Sequence, residues 1–170
     1  MVKKTLYDAV SVYLVSKFEN DWKILLGYHL NHNAWLPIAG KKKLNEFPDD
    51  TARREVKEEL GVEIAFLQYK PPRPGNQKEY AMPFLVTRQP KKDGTFYYDQ
   101  AYLCAPESLD FTINEEFSTV AWFDENGLEN AYPPIKPGVK FSAIEAIATI
   151  KKLEGEKEPG GLRGLLKKII

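Results

Sequence analysis

The length, composition and charge of the chain indicate one globular domain and argue against several classes of protein. Its 170 residues are 43% hydrophobic and 28% charged, which is typical of a soluble fold with one sizeable core. Lys+Arg and Asp+Glu both number 24, so the formal net charge is zero. A general nucleic-acid binder would usually carry a basic excess, and no nucleic-acid partner is expected.

The cysteine content and the hydropathy of the chain indicate the cellular compartment in which the protein works. Cys104 is the only cysteine, which excludes an internal disulfide and a cysteine-based zinc site. No apolar run approaches the length that a membrane-spanning helix needs. These features predict a reducing, cytoplasmic location with no membrane partner.

The first half of the chain predicts a hairpin followed by an acidic helix. Residues 7–18 are rich in Val and Tyr and read as a strand, which a polar turn joins to a second strand at 22–29. A short apolar piece follows at 34–40. A predicted helix begins at Pro48, which two acidic residues follow in the sequence, and ends at Gly61.

The second half predicts four further strands and one more helix. The strands are expected at residues 62–69, 81–88, 95–105 and 117–124. Asp93-Gly94 is a turn signal that joins the second and third of these as a hairpin. Apolar residues recur at helical spacing through 140–153, which predicts a packed helix. The fold class is therefore α+β, with strands on both sides of one acidic helix.

The C-terminal segment is predicted to lie outside the domain. We place the domain at residues 1–153 and assign 154–170 to a flexible linker and a short basic amphipathic tail. Its leucine stripe could dock on the domain itself or on a second subunit, so a homodimer is one candidate assembly. Docking on a membrane is the less favoured alternative, because one short segment with three cations gives little affinity.

Three glutamates gather near the end of the first predicted helix: Glu55, Glu58 and Glu59. A helix C-terminus carries partial negative charge, so carboxylates there are repelled by one another and by the helix dipole. A divalent cation would reverse both penalties, and oxygen ligands suit Mg²⁺ or Mn²⁺. The competing interpretation is a solvated helix face on which Arg54 pairs with Glu58 one turn away.

The residues around this helix follow a longer pattern. Gly40 is followed by five residues, Glu46, seven residues and then the run REVKEELGV at 54–62. This resembles the Nudix hydrolase signature G-x5-E-x7-R-E-U-x-E-E-x-G-U, where U is aliphatic, and every specified position is filled.

The resemblance implies both a fold and an activity. The fold is an α/β/α sandwich with a mixed sheet, in which a loop–helix–loop motif carries the site. Members of the family use a divalent metal to cleave a diphosphate linkage in a nucleoside diphosphate joined to another group, X. The expected cofactor is therefore Mg²⁺ or Mn²⁺, and the expected partner is a nucleotide-type small molecule.

The resemblance also implies roles for individual residues. Glu55 and Glu59 would be metal ligands, and Glu58 a ligand or a partner through water. The carbonyl of residue 39, here Ala39, often completes such a site.

Four further positions of the motif support those ligands. Arg54 would orient a glutamate by a charge-assisted hydrogen bond. Glu46 would support the loop, and Gly40 and Gly61 bound the motif as structural positions.

The general base is open between two candidates. Many members of the family place an additional glutamate late in the chain, and Glu116 occupies that region here. We prefer Glu116, with Glu55 as the alternative within the motif. The competing interpretation of Glu116 is a solvated residue in a turn before a strand.

Substrate contacts are less well marked. Lys41 is the best candidate for a phosphate contact, and Arg73 could reach a phosphate or be a solvated charge. Trp35 could stack on a nucleobase or belong to the core. His29 and His32 lack the spacing of a metal site and read as polar loop residues.

Two other functions compete with the hydrolase. A non-catalytic nucleotide-binding or regulatory module would keep the fold and lose carboxylates of the motif, and none is lost here. An isoprenoid diphosphate isomerase would need a catalytic cysteine, for which the solitary Cys104 gives little support.

Overall fold

A mixed β-sheet forms the centre of the computed structural model, which describes residues 6–68, 80–91 and 93–155. In that part of the chain the strands are β1 (Leu6–Phe18), β2 (Asp21–His29), β3 (Ala34–Leu36), β4 (Ile38–Lys41), β5 (Ile64–Phe66), β6 (Leu85–Pro90), β7 (Phe96–Pro106) and β8 (Phe117–Phe123). The helices in the same residues are α1 (Pro48–Leu60), α2 (Glu125–Asn130) and α3 (Pro137–Gly155). The expected α+β fold with a mixed sheet is confirmed.

The long strand β1 organises the sheet. It pairs in parallel with β7 on one side, and antiparallel with β2 and β4 on the other. The sheet runs in the order β3-β2-β1-β7-β5, with β8 paired to β2 and β6 paired to β7. Residues far apart in the sequence, such as Leu6 and Phe96, therefore meet on neighbouring strands.

The two faces of the sheet carry separate hydrophobic cores. Alternate residues of β1 point to opposite faces, so Val12 and Leu14 join the core under α1, while Tyr13 and Val15 join the core under α3. This burial of both faces explains why β1 reads as a nearly continuous apolar run rather than a clean alternation.

Helix α1 begins and ends as its sequence predicts. Pro48 occupies its first turn, and the Phe47 backbone N–H donates to the Asp50 carboxylate at 3.1 Å. Gly61 terminates the helix in the left-handed conformation, with φ 74°, and its N–H donates to the Lys57 carbonyl. The motif is thereby fixed at both ends.

Several boundaries differ from the predictions. The strand expected at 81–88 starts only at Leu85, because Pro83 has no N–H to donate to a sheet. The strand expected at 62–69 is shorter, Ile64–Phe66. Helix α2 was not predicted, and the Asp124 carboxylate caps it by accepting from the Gly127 N–H at 2.7 Å.

Some predictions fall outside the described residues. Arg73 lies there, as does the segment 156–170 that carries most of the predicted linker and tail. None of the helices placed in the described ranges combines the length and hydropathy required to cross a bilayer.

Candidate active site

Helix α1 is held against the sheet by its apolar stripe. Ala52, Val56 and Leu60 are fully buried in the core beneath it. This packing fixes the rotation of the helix, and it turns the glutamates toward β4 and the loop that precedes α1.

Arg54 connects four acceptors around the start of the helix. Its Nε and Nη2 donate to the two oxygens of Glu46 at 2.6 and 3.0 Å, in a bidentate pair. Its Nη1 donates to Glu55 at 2.6 Å and to Glu58 at 3.1 Å, and Nη2 also reaches the Lys41 carbonyl at 3.2 Å. One guanidinium therefore ties the loop to the acidic helix.

Glu46 has the partners that a structural carboxylate needs. Besides Arg54, it accepts hydrogen bonds from the Lys43 N–H and the Thr51 hydroxyl, both at 2.9 Å. These donors, Arg54 first, lower the pKa of Glu46 to about 2. Its placement agrees with the loop-supporting role suggested by the sequence.

Glu59 has the opposite environment. It is only 3% exposed, and its Oε2 atom has no hydrogen-bond partner among the described residues. Burial raises its pKa to about 9, and the neighbouring charges of Glu55, Glu116 and Glu58 add to the effect. A hydrogen bond with the Ala39 backbone opposes the shift only weakly.

Glu55 is half-buried, and its environment is intermediate between those of Glu46 and Glu59. Burial raises its pKa, while the hydrogen bond from Arg54 lowers it. It packs against Gly40 so closely that a Cβ on that residue would lie 1.9 Å from Glu55 Oε1. Glycine at position 40 thus lets strand β4 approach the carboxylates.

Glu116 is brought to the same region by the loop before β8. The Asn114 N–H donates to the Glu59 carbonyl at 3.0 Å, and the Asn114 side chain accepts from the Glu116 N–H at 3.0 Å. The Leu30 N–H donates to the Glu116 carbonyl at 2.8 Å. The loop is therefore attached both to the end of α1 and to the end of β2.

His29 contacts Glu116, which the sequence did not indicate. Its Nε2 lies 3.3 Å from a Glu116 carboxylate oxygen, and its ring stacks edge-on against His32 at 4.5 Å between centroids. The Nδ1 atom of His29 is buried without a hydrogen-bond partner among the described residues. His29 is thus a neighbour of the candidate base, rather than a simple loop residue.

The carboxylates are suitable ligands for a divalent cation, but their side chains are not arranged in ligand geometry. In the described part of the chain, no three His, Cys, Asp or Glu side chains converge in ligand geometry. Arg54 donates to an oxygen of Glu55 and to an oxygen of Glu58. The unpartnered Glu59 oxygen and the all-oxygen set of donors nonetheless suit a hard cation such as Mg²⁺.

Two of the three predicted substrate contacts lie in the described residues. Lys41 is exposed at the end of β4, two residues from Ala39. Trp35 is in the core on the α3 face, edge-on to Tyr28 and Phe123, and is 8% exposed. Its ring is enclosed by these neighbours, so its placement is that of a core residue and not of an open stacking surface.

A glutamate-bearing helix set against a mixed sheet, with an arginine that orients its carboxylates, defines the phosphate-hydrolase class of site. The NUDIX domain pattern matches residues 6–141. The chain belongs to the NUDIX family, and its enzyme class is that of a Nudix-type diphosphate hydrolase.

Several solved structures share this fold. A NUDIX-family hydrolase from Clostridium perfringens is 25% identical, with a TM-score of 0.68, covering 84% of this chain and 97% of that one. An Ap4A hydrolase from C. elegans is 14% identical, with a TM-score of 0.66, covering 86% and 98%. A UDP-X diphosphatase is 16% identical, with a TM-score of 0.61, covering 89% and 66%. No curated protein matches the sequence at a significant level.

Proposed function

We propose that this protein is a hydrolase that requires Mg²⁺ or Mn²⁺ and cleaves the diphosphate linkage in a nucleoside diphosphate joined to another group, X. The observation that supports this most directly is Glu59, a buried carboxylate with an unpartnered oxygen beside three other glutamates. Such a group is costly unless a cation completes it.

Glu55, Glu58, Glu59 and the Ala39 carbonyl would hold the metal. When bound, the metal supplies neutralisation of the phosphate oxygens and a lowered pKa for a coordinated water. Arg54 would keep Glu55 and Glu58 oriented from the Glu46 side of the loop.

Glu116 would act as the general base. A water molecule attacks one phosphorus, and the bond from that phosphorus to the bridging oxygen breaks, so the leaving phosphate takes the electron pair. The proton of the attacking water passes to a Glu116 oxygen. Glu55 remains the alternative base, and the Arg54 hydrogen bond at 2.6 Å counts against it because it occupies one of the Glu55 oxygens.

Lys41 would contact a phosphate of the substrate. It is exposed on β4, the same strand that carries the Ala39 carbonyl. For Arg73 the same role stays a prediction, as do the homodimer, the cytoplasmic location and the flexible linker with a short basic amphipathic tail at 154–170, the first two residues of which belong to α3.

The isomerase alternative loses its remaining support. Cys104 is fully buried in the core under α1, and burial raises the pKa of its thiol well above the ordinary value. A protonated thiol without solvent contact is a poor acid–base or nucleophilic group.

The test is a hydrolysis screen of wild-type protein and Glu59→Gln. The substrates are a dinucleoside polyphosphate, ADP-ribose, a nucleotide sugar and nucleoside triphosphates, each with Mg²⁺, with Mn²⁺ and with EDTA. We expect turnover of at least one diphosphate that disappears in EDTA and in the variant. Absence of turnover on every substrate with both metals would contradict the proposal.

A further inference from the structure

The loop between β7 and β8, residues 107–116, carries the candidate base and is attached to the end of the acidic helix. The Thr112 N–H donates to the Leu60 carbonyl at 3.0 Å. The Asn114 N–H donates to the Glu59 carbonyl at the same distance, 3.0 Å. Carbonyls in the last turn of a helix have no partner within the helix, so the loop supplies two of the donors that they lack. The path of the loop is therefore set by the residues that end α1.

The Asn114 side chain determines how the chain continues from that anchor to Glu116. Its Oδ1 atom accepts from the Glu116 N–H at 3.0 Å, two residues further along. Its carbonyl accepts from the Phe117 N–H at 3.4 Å. An asparagine that bonds to the backbone two residues on forms a tight turn of its own. Asn114 thus contacts both the last turn of α1 and the backbone of Glu116.

The other side of Glu116 is attached to strand β2. The Leu30 N–H donates to the Glu116 carbonyl at 2.8 Å. The next residue, Phe117, is buried, and a side chain in place of Gly27 would overlap its ring. The Nε2 atom of His29 lies 3.3 Å from the Glu116 carboxylate. The backbone of Glu116 is therefore held from two directions.

The position of the Glu116 carboxylate depends mainly on this backbone placement. The side chain is 48% exposed, and among the described residues its ion-pair contact is with His29. A general base must lie within hydrogen-bond reach of the proton that it removes, and a displacement of about 1 Å can cost about a hundredfold in rate. Glu116 is close enough to Glu59 for the two charges to interact. A change in the turn would therefore move the base relative to the proposed metal ligands.

We propose that Asn114 is a positioning residue for the hydrolysis, because it ties the backbone of Glu116 to the end of the helix that carries the proposed metal ligands. Asn114 acts through Glu116 and has no contact of its own with the reacting atoms. The inference rests on the proposed function, and it adds to that function a residue outside the signature motif.

Two substitutions at Asn114 isolate the hydrogen bond of its side chain. Asn114→Ala removes the acceptor for the Glu116 N–H. Asn114→Ser restores an oxygen that can bond to the backbone two residues on, although more weakly. Neither substitution introduces a charge beside the glutamates.

Ser108 provides a matched control in the same loop. Its hydroxyl accepts from the Asp110 N–H at 3.0 Å, which is the same kind of bond across the same two-residue spacing. That turn contains none of the proposed catalytic residues, so Ser108→Ala removes an equivalent bond without touching the base. Melting temperatures of the full-length variants check that each one is folded.

The catalytic measurement uses a diphosphate that the wild type hydrolyses in the screen, at saturating Mg²⁺. We expect Asn114→Ala to lower kcat about tenfold with KM almost unchanged. Asn114→Ser should recover most of the loss, and Ser108→Ala should match the wild type. In a Glu116→Gln background, Asn114→Ala should cause no further loss, because its effect passes through that carboxylate.

Three outcomes of the catalytic measurement would overturn the inference. The first is an unchanged kcat in Asn114→Ala. The second is an equal loss in Asn114→Ala and Ser108→Ala, which would assign the effect to the loop in general. The third is a full additional loss in the Glu116→Gln background, which would show that Asn114 acts independently of the base.

Amide hydrogen exchange gives a readout that does not depend on activity. NMR measures the exchange of the Glu116 N–H in the metal-free, full-length protein. Protection of this amide should fall in Asn114→Ala and return in Asn114→Ser, and Ser108→Ala should leave it unchanged. An unprotected Glu116 N–H in the wild type would overturn the inference.

The two measurements together separate this inference from the proposed function. Turnover by the wild type, with an unchanged kcat in Asn114→Ala, would remove the positioning role and keep the hydrolase. No turnover of any diphosphate, with protection of the Glu116 N–H lost in Asn114→Ala, would remove the hydrolase and the catalytic role of Asn114, and would leave the turn as a structural feature.

Discussion

Two buried carboxyl groups on opposite sides of the sheet differ in their hydrogen-bond partners. Asp99, on β7, is 6% exposed and lies 3.0 and 2.9 Å from the Ser11 hydroxyl, with the Gln89 amide at 3.3 Å. Glu59, at the end of α1, is 3% exposed, and one of its oxygens has no partner among the described residues. The Asp99 carboxylate therefore has its hydrogen-bond partners within the protein, whereas the Glu59 oxygen is the atom that the proposed metal would bind.

The largest expected effect separates these two groups. Glu59→Gln should lower the hydrolysis rate on the order of a hundredfold or more, because a metal ligand is lost. The same change should raise the melting temperature of the metal-free protein at neutral pH, because a carboxyl whose pKa is raised to about 9 must take up a proton to be buried and the amide need not. Rates at saturating Mg²⁺ and thermal melts in EDTA measure the two effects.

Asp99→Asn is the matched change on the other face. It should leave the rate close to wild type and lower stability by about 1 kcal/mol, because a satisfied hydrogen-bond acceptor is altered. If Asp99→Asn abolished turnover while Glu59→Gln did not, the comparison between the two carboxyl groups would be reversed.

Glu116 tests whether a glutamate outside α1 belongs to the reacting groups. Glu116→Gln should lower kcat about a hundredfold with metal affinity almost unchanged, since a general base is removed and no ligand is. Glu115→Gln is the control for charge. An unchanged kcat would exclude Glu116 and leave Glu55 as the base.

Lowering the pH should reduce the stability of the loop before α1, because Glu46 becomes protonated. Its folded pKa of about 2 lies below the ordinary value of 4.5, so its contribution to stability is complete above pH 4.5 and is lost as pH falls toward 2. Glu46→Gln should therefore flatten the fall in melting temperature between pH 5 and pH 3 by roughly 5 °C. Parallel melting curves for wild type and variant would contradict the pairing with Arg54.

The smallest expected effect concerns His29. In His29→Asn the new side chain is too short to keep the 3.3 Å contact with Glu116. The substitution should lower kcat about fivefold with little change in KM. His29→Gln can retain a donor and should recover part of the loss. His32→Asn, which removes the stacked ring, is the control, and an equal loss there would assign the effect to loop packing.

Spacing along the sequence was sufficient to predict the acidic helix. The positions from Gly40 to Gly61 lie in one continuous loop–helix segment, so their geometry follows largely from local structure. Arg54 contacts Glu46 as expected, because α1 begins at Pro48, two residues after Glu46. The end of the loop therefore lies beside the first turns of the helix.

Contacts between distant segments could not be predicted in the same way. His29 reaches Glu116 because β2 pairs with β8, and Lys91 reaches Tyr7 because β1 pairs with β7. Trp35 was ambiguous because an aromatic residue beside a proline suits both a core and a binding surface. Only its packing against Tyr28 and Phe123 distinguishes the two.

The position of Arg54 also bears on how the protein would take up the proposed metal. The guanidinium already neutralises Glu55 and Glu58, and it is anchored independently by Glu46. Uptake of the proposed metal would therefore add a cation to a helix that is already ordered, rather than drive a folding event. It follows that a chelator should switch the enzyme off without unfolding it, and that activity should return as fast as the metal does.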